Sequence, residues 1–209
     1  AFKDAAFLEK NGLTEATALA IFIPNTYQVY WNTTPENFRD RMLKEYNTFW
    51  TAERLKKAAA IDLSREEVIS LAAIVQKETA KIDERPRVAG VYLNRLKKGM
   101  LLQADPTVIY SKKATENDFD QIIKRVLYAD LEIKSPYNTY KYAGLPPGPI
   151  TMPDISAIDG VLNYEKHNYV FFVADVTNFG YHKFAKTFSQ HSRNKQEYVR
   201  WVNANGVKR

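Results

Sequence analysis

Phe38, Met42 and Tyr46 fall four residues apart behind Thr34-Pro35-Glu36. That spacing puts three apolar side chains on one face of a helix over about 35–47. Thr34 supplies its N-cap, and Pro35, which has no N–H to leave unpaired, its first helical position. A short helix is expected over 52–60. Ser64 and Glu67 are spaced to satisfy each other's backbone donors as a capping box, so the next helix opens at 65 and runs to about 80. Its apolar stripe is Val68, Leu71, Ile74 and Val75, and its polar face Glu66, Ser70, Lys77 and Lys81. A helix over 85–98 turns Val88, Val91, Tyr92 and Leu96 inward and stops at Lys97-Lys98-Gly99, a basic last turn with glycine behind it.

From Met100 to Pro153 the pattern changes. Prolines at 106, 136, 146, 147, 149 and 153 interrupt regular structure, so this stretch reads as ordered loop with short helices near 107–111 and 119–128. Tyr169–Ala174 reads as a buried strand, Asn178-Phe179-Gly180 as a turn, and Tyr181–Ala185 as the partner strand. A last helix over 189–204 packs through Tyr198 and Val202. The fold class expected is α+β, with a helical first half, long proline-rich loops and a small sheet in the C-terminal half.

Composition narrows the choice. The 209 residues are 45% hydrophobic and 26% charged, ordinary globular values that exclude a disordered or fibrous chain. The apolar runs Ala16–Ile23 and Tyr169–Ala174 are far short of the roughly 20 residues that span a bilayer. The abrupt start at Ala1-Phe2-Lys3 suits a soluble piece of a longer protein and leaves a membrane anchor beyond this chain open. Cysteine is absent, which removes disulfides, thiolate zinc sites, iron–sulfur clusters and cysteine nucleophiles. The net charge of +6 favours a polyanionic partner: nucleic acid, an anionic membrane surface or an acidic wall polymer. Lysines and arginines are dispersed rather than gathered between aromatics, so no nucleic-acid partner is expected.

The helix over 65–80 carries the sharpest candidate. Glu78 lies seven residues after Leu71, four after Ile74 and three after Val75, on the apolar stripe rather than the polar face. Desolvation there raises a carboxyl pKa toward the neutral value useful to a general acid. A helix-end glutamate that escapes to solvent or pairs with a lysine is the competing reading. Gln103 and Asp105 alternate out of an extended stretch, although Asp105-Pro106-Thr107 also suits a helix start with aspartate as N-cap. Ser135-Pro136-Tyr137-Asn138-Thr139-Tyr140 and Gly144–Ile150 form a proline-stiffened loop that offers amide, hydroxyl and phenol groups beside flat rings, a mixture suited to sugars. The same loop reads equally as rigid packing. His167, His182 and His191 lack metal-ligand spacing. There is no nucleophile elbow and no phosphate-cradling glycine loop.

Together these segments resemble the endolytic murein transglycosylases, the YceG-like family. The resemblance rests on Ile23–Tyr27, Leu71–Thr79, Val91–Leu96, Leu102–Tyr110, Ser135–Tyr140 and Gly144–Ile150. It continues through Phe172-Val173-Ala174 and His182-Lys183-Phe184. Asn25 departs from the family's more usual aspartate, and 111–130 is longer than usual. The resemblance implies that Glu78 is catalytic. The implied reaction is non-hydrolytic cleavage of the β-1,4 bond between N-acetylmuramic acid and N-acetylglucosamine, with a 1,6-anhydro product, one glutamate acting as acid and then base. It further implies substrate contacts from Gln103, Asp105, Tyr137, Asn138 and Tyr140, and no metal or cofactor. Residues 1–20 are expected to be the tail of a LysM-like module and 21–209 the catalytic domain. Also implied are a membrane anchor outside this chain, an extracytoplasmic location at the cell membrane, and work on peptidoglycan glycan strands beside cell-wall synthases, limiting strand length. A muramidase-type hydrolase with Asp105 as second carboxylate, a non-catalytic wall-binding module and a pyridoxal phosphate lyase are the alternatives.

Overall fold

The structure, a computed structural model, describes residues 1–123 and 125–205. Eight α-helices are present among them. They are α1 (Ala5–Lys10), α2 (Pro35–Phe49), α3 (Ala52–Ala59), α4 (Arg65–Glu78), α5 (Arg85–Lys97), α6 (Asp105–Glu116), α7 (Ile155–Leu162) and α8 (Phe188–Ala204). A two-stranded antiparallel ribbon, β1 (Phe171–Ala174) and β2 (His182–Ala185), pairs Phe172 with Phe184 and Ala174 with His182. The α+β expectation holds.

Helix α4 is the axis of the molecule. Every residue from Val68 to Val75 is buried, because α3, α5, α6 and α7 all pack against it. Ser70, expected on a polar face, is therefore interior, and its hydroxyl donates to the Glu66 carbonyl at 2.9 Å. The capping box forms as the spacing predicts. Phe7, Leu8 and Leu13 of the N-terminal segment join the same core as α4 and α5.

Four local features differ from expectation. The Asp105 helix is longer than 107–111, extending to Glu116. The described residues of 119–128 form no helix, and position 124 lies outside the description. Helix α7 was not expected, although Asp154 caps it by accepting from the Ala157 N–H. Its apolar residues Ala157, Ile158, Val161 and Leu162 are buried against α4 and α5. The β1 strand is half-buried rather than buried, since two strands cannot cover both of their faces. Phe172 faces Tyr92 of α5, and Phe171 faces Phe188 and His191 of α8.

Helix α5 anchors the ribbon. Asn94 Nδ2 donates to the carbonyls of His167 and Tyr169 at 2.7 and 2.9 Å. Gly90 makes the crossing possible, since a Cβ there would stand 2.5 Å from the Glu165 carbonyl and 2.7 Å from His167 Nε2. Gly99, at φ +64°, takes the left-handed turn that ends α5.

Candidate active site

Glu78 is the last residue of α4, and Thr79 turns away in extended conformation. Its carboxyl meets an open cleft on one side and protein on the other. Tyr92, one turn before the end of α5 and 1% exposed, donates its hydroxyl to Glu78 Oε1 at 2.7 Å. Together they line a cavity of about 260 Å³ with Arg95, Leu102, Gln103, Asp105, Tyr140, Phe172 and His191.

Burial is the main reason the Glu78 pKa is pushed up to about 7, from an ordinary 4.5. The Tyr92 bond works against this, the Asp105 carboxylate adds to it, and His182 and Arg95 oppose it. The carbonyl end of α4 disfavours negative charge in the same place. Near neutral pH, Glu78 thus exchanges between acid and carboxylate.

The opposite wall rests on two threonines. Thr107 Oγ1 donates to the Ala104 carbonyl at 2.7 Å and lies 2.8 Å from Thr139 Oγ1, while the Ala104 N–H donates to Thr139 Oγ1 at 3.0 Å. Both threonines are buried, so they clamp the 103–105 strap to the 138–140 loop. The Gln103 N–H donates to the Thr139 carbonyl at 3.1 Å, and Gln103 itself is held at φ +51°, a left-handed conformation that costs free energy in a non-glycine residue. This geometry leaves the Gln103 side chain exposed on the cleft wall. Asp105 is the first residue of α6 rather than its N-cap, a position Ala104 takes. Its Oδ1 accepts from the Tyr140 hydroxyl at 2.6 Å, and burial foremost, then this bond, raises the Tyr140 pKa.

Arg95 ties the walls together. Its Nε donates to the Val170 carbonyl at 2.7 Å and its Nη1 to the Leu102 carbonyl at 2.8 Å and Gln103 Oε1 at 3.4 Å. Burial lowers its pKa.

Of the six residues named from sequence, Glu78, Gln103, Asp105 and Tyr140 meet in one cavity. Asn138 and Tyr137 do not line it. Asn138 is fully buried, with Nδ2 donating to the Leu131 and Ile133 carbonyls at 2.9 Å each, and Oδ1 accepting from the Tyr140 N–H at 3.0 Å. All its polar capacity is spent shaping the loop that presents Tyr140. Tyr137 packs its ring 4.6 Å from Tyr110, and burial first, then Tyr110, pushes its pKa up to about 12. Sequence reasoning missed Tyr92, Arg95, Phe172 and His191 as cleft residues. Tyr92 sits on an apolar stripe and reads as core, and His191 reads as structural. Among the described residues no group of three His, Cys, Asp or Glu side chains is placed to hold a metal ion, and no helix is long and apolar enough to cross a membrane.

The model of the YceG-like family matches residues 2–197. The endolytic murein transglycosylase of Bacillus subtilis (strain 168) is 34% identical over 171 residues, which cover 80% of this chain and 44% of that protein. The endolytic murein transglycosylase of Streptococcus pneumoniae serotype 2 (strain D39) is 34% identical over 180 residues, covering 84% of this chain and 31% of that protein. The chain thus spans less than half the length of these relatives. The crystal structure of a putative YceG-like protein from Listeria monocytogenes superposes with a TM-score of 0.76 at 29% identity, covering 92% of this chain and 64% of that one.

Proposed function

The chain belongs to the YceG-like family, and on that premise we propose that it is the catalytic part of an endolytic peptidoglycan transglycosylase. The observation that carries this is one carboxyl, Glu78, poised to titrate near pH 7 in a sugar-sized cleft. Protonated Glu78 gives its proton to the glycosidic oxygen between N-acetylmuramic acid and N-acetylglucosamine as the bond from muramyl C1 to that oxygen breaks. The carboxylate so formed takes the proton of the muramyl C6 hydroxyl while O6 closes onto C1. The products are a 1,6-anhydro end and a free 4-hydroxyl, and Glu78 is returned to its acid form with no water consumed. The Asp105 carboxylate, across the same cavity, supports the positive charge that develops at C1. Gln103 and Tyr140 offer polar groups to sugar hydroxyls and acetamides.

The acting molecule, on this reading, carries residues 1–20 as the end of a LysM-like module. It is anchored at the extracytoplasmic face of the cell membrane and trims nascent strands beside cell-wall synthases. One observation favours a second reading: two carboxylates, Glu78 and Asp105, share the cavity, as a hydrolase requires. Mass analysis of products from uncrosslinked glycan separates the two, because an anhydro end is one water lighter than a reducing end. Glu78→Gln should abolish anhydro products with the fold intact; an unchanged yield would remove Glu78 from the chemistry.

A further inference from the structure

The cleft does not end at Asp105 and Tyr140. His191 lines it and also lines a second cavity of about 570 Å³ along α8, so one residue borders both spaces. The ring lies on Phe171, 5.1 Å between centroids and 16° between planes. Its Nδ1 is buried with no hydrogen-bond partner. Burial, then the nearby cations Lys195 and Arg95, holds the ring below its ordinary pKa, and a neutral imidazole carries one N–H.

Beyond His191 the second cavity has apolar lining from Val199 and from Phe188, whose ring is 71% exposed. Its charged lining groups are Lys195 and Arg200, and no acidic residue lines it, since Glu197 of the same helix pairs with Lys183 at 2.6 Å. The guanidinium of Arg200 reaches the Gln196 carbonyl of its own helix at 3.4 Å, and neither cation makes an ion pair among the described residues.

We infer that this α8 cavity receives the peptide stem of the muramyl residue bound in the cleft, with stem carboxylates meeting Lys195 and Arg200 and aliphatic stem side chains meeting Phe188 and Val199. The inference rests on the glycan reading above and adds a substrate feature to it. Two arguments select this occupant. The cavity borders the cleft at His191, and its two unpaired cations over apolar surface complement a short anionic peptide. A glycan stripped of stems keeps its one muramyl carboxylate against the ring, on the lactyl arm, where it does not reach along α8.

The test is binding, measured by calorimetry on the Glu78→Gln chain so that nothing turns over. One soluble glycan bears uncrosslinked stems, and a second has been stripped by an amidase. Stem-bearing glycan should bind about tenfold more tightly, the scale of two solvent-exposed ion pairs. Reversing both charges, Lys195→Glu with Arg200→Glu, should erase that preference. Both side chains are exposed, so the reversal leaves the core intact, and circular dichroism checks this. Equal affinity for the two glycans, or a preference that survives the reversal, would overturn the inference. Anhydro-product formation by the unaltered chain is read separately. A stem preference without product removes the transglycosylase reading alone. Product without a stem preference removes this inference alone, and failure to bind either glycan removes both.

Discussion

Glu78 ends α4 while Asp105 opens α6, so the two carboxylates of the cleft meet opposite ends of helix dipoles. The carbonyl end of α4 favours an uncharged acid at Glu78. A general acid must be protonated to act, so glycan cleavage should fall as pH rises through about 7, the value to which burial pushes Glu78. Tyr92 trims that value. Its O–H bonds to Glu78 Oε1 and stabilises the carboxylate, so removing the bond raises the pKa further. Tyr92→Phe should therefore move the alkaline limb of the pH–rate profile upward while lowering the maximal rate about tenfold through looser orientation of the carboxyl. A limb that stays put, or moves downward, would show that Tyr92 does not set the Glu78 proton affinity. Tyr92 could not be recognised beforehand as such a partner. A tyrosine on an apolar stripe reads as core, and it is core; only the fold brings its hydroxyl to a residue fourteen positions away.

Elements that close their own hydrogen bonds were readable in advance, and those defined by distant partners were not. The α4 start is a local contract between Ser64 and Glu67, and Gly99 ends α5 by its own backbone freedom; both need only a few consecutive residues. Helix α7 has a good cap in Asp154, but that carboxylate is also shared with Arg85 at 2.7 Å, and the eight residues of α7 are too few to form a helix without α4 and α5 beneath them. In the stretch 119–128, where a short helix was expected, Phe119 and Ile122 remain 54% and 83% exposed, so no packing face rewards that conformation. The same division decides which substitutions are costly. Ser64→Ala should destabilise by about 1 kcal/mol, the usual worth of an N-cap, and leave cleavage unchanged. Asn138→Ala should cost on the order of 2–4 kcal/mol, because it strands the half-buried Leu131 carbonyl and the Tyr140 N–H and leaves the Ile133 carbonyl with the Ser135 N–H alone. It should also lower activity in whatever folded protein remains, since Tyr140 loses its support. Denaturant melts beside product assays read both effects. An Asn138→Ala chain that is stable and fully active would show that Asn138 neither holds the loop nor contributes a sugar contact.

Across the whole molecule, holding an acid uncharged carries a stability cost that depends on pH. Asp130, held low first by its bond from Lys112, favours the folded chain above its unfolded pKa, and that contribution is lost as the solution turns acid. Glu84 acts in the same sense: burial works against its charge, but two bonds from His182 hold its pKa low. Glu78 runs the other way. Between 4.5 and about 7 the folded chain keeps a proton there that the unfolded chain has released, so its contribution is complete below that interval and is lost as pH rises through it. Subtracting the melting curves of Glu78→Gln and the unaltered chain isolates this one group, since Asp130 and Glu84 are common to both. At pH 8 the glutamine chain, having no charge to bury, should be the more stable by about 2 kcal/mol, the shift discounted for the side of Glu78 open to solvent. In a chain of this size that is a rise of roughly 4–8 °C in Tm. The gap should narrow steadily below pH 7 and vanish well below 4.5, where both side chains are neutral in either state. A gap that is constant with pH would mean that glutamine merely packs better, and that the desolvation on which the proposed chemistry depends is absent.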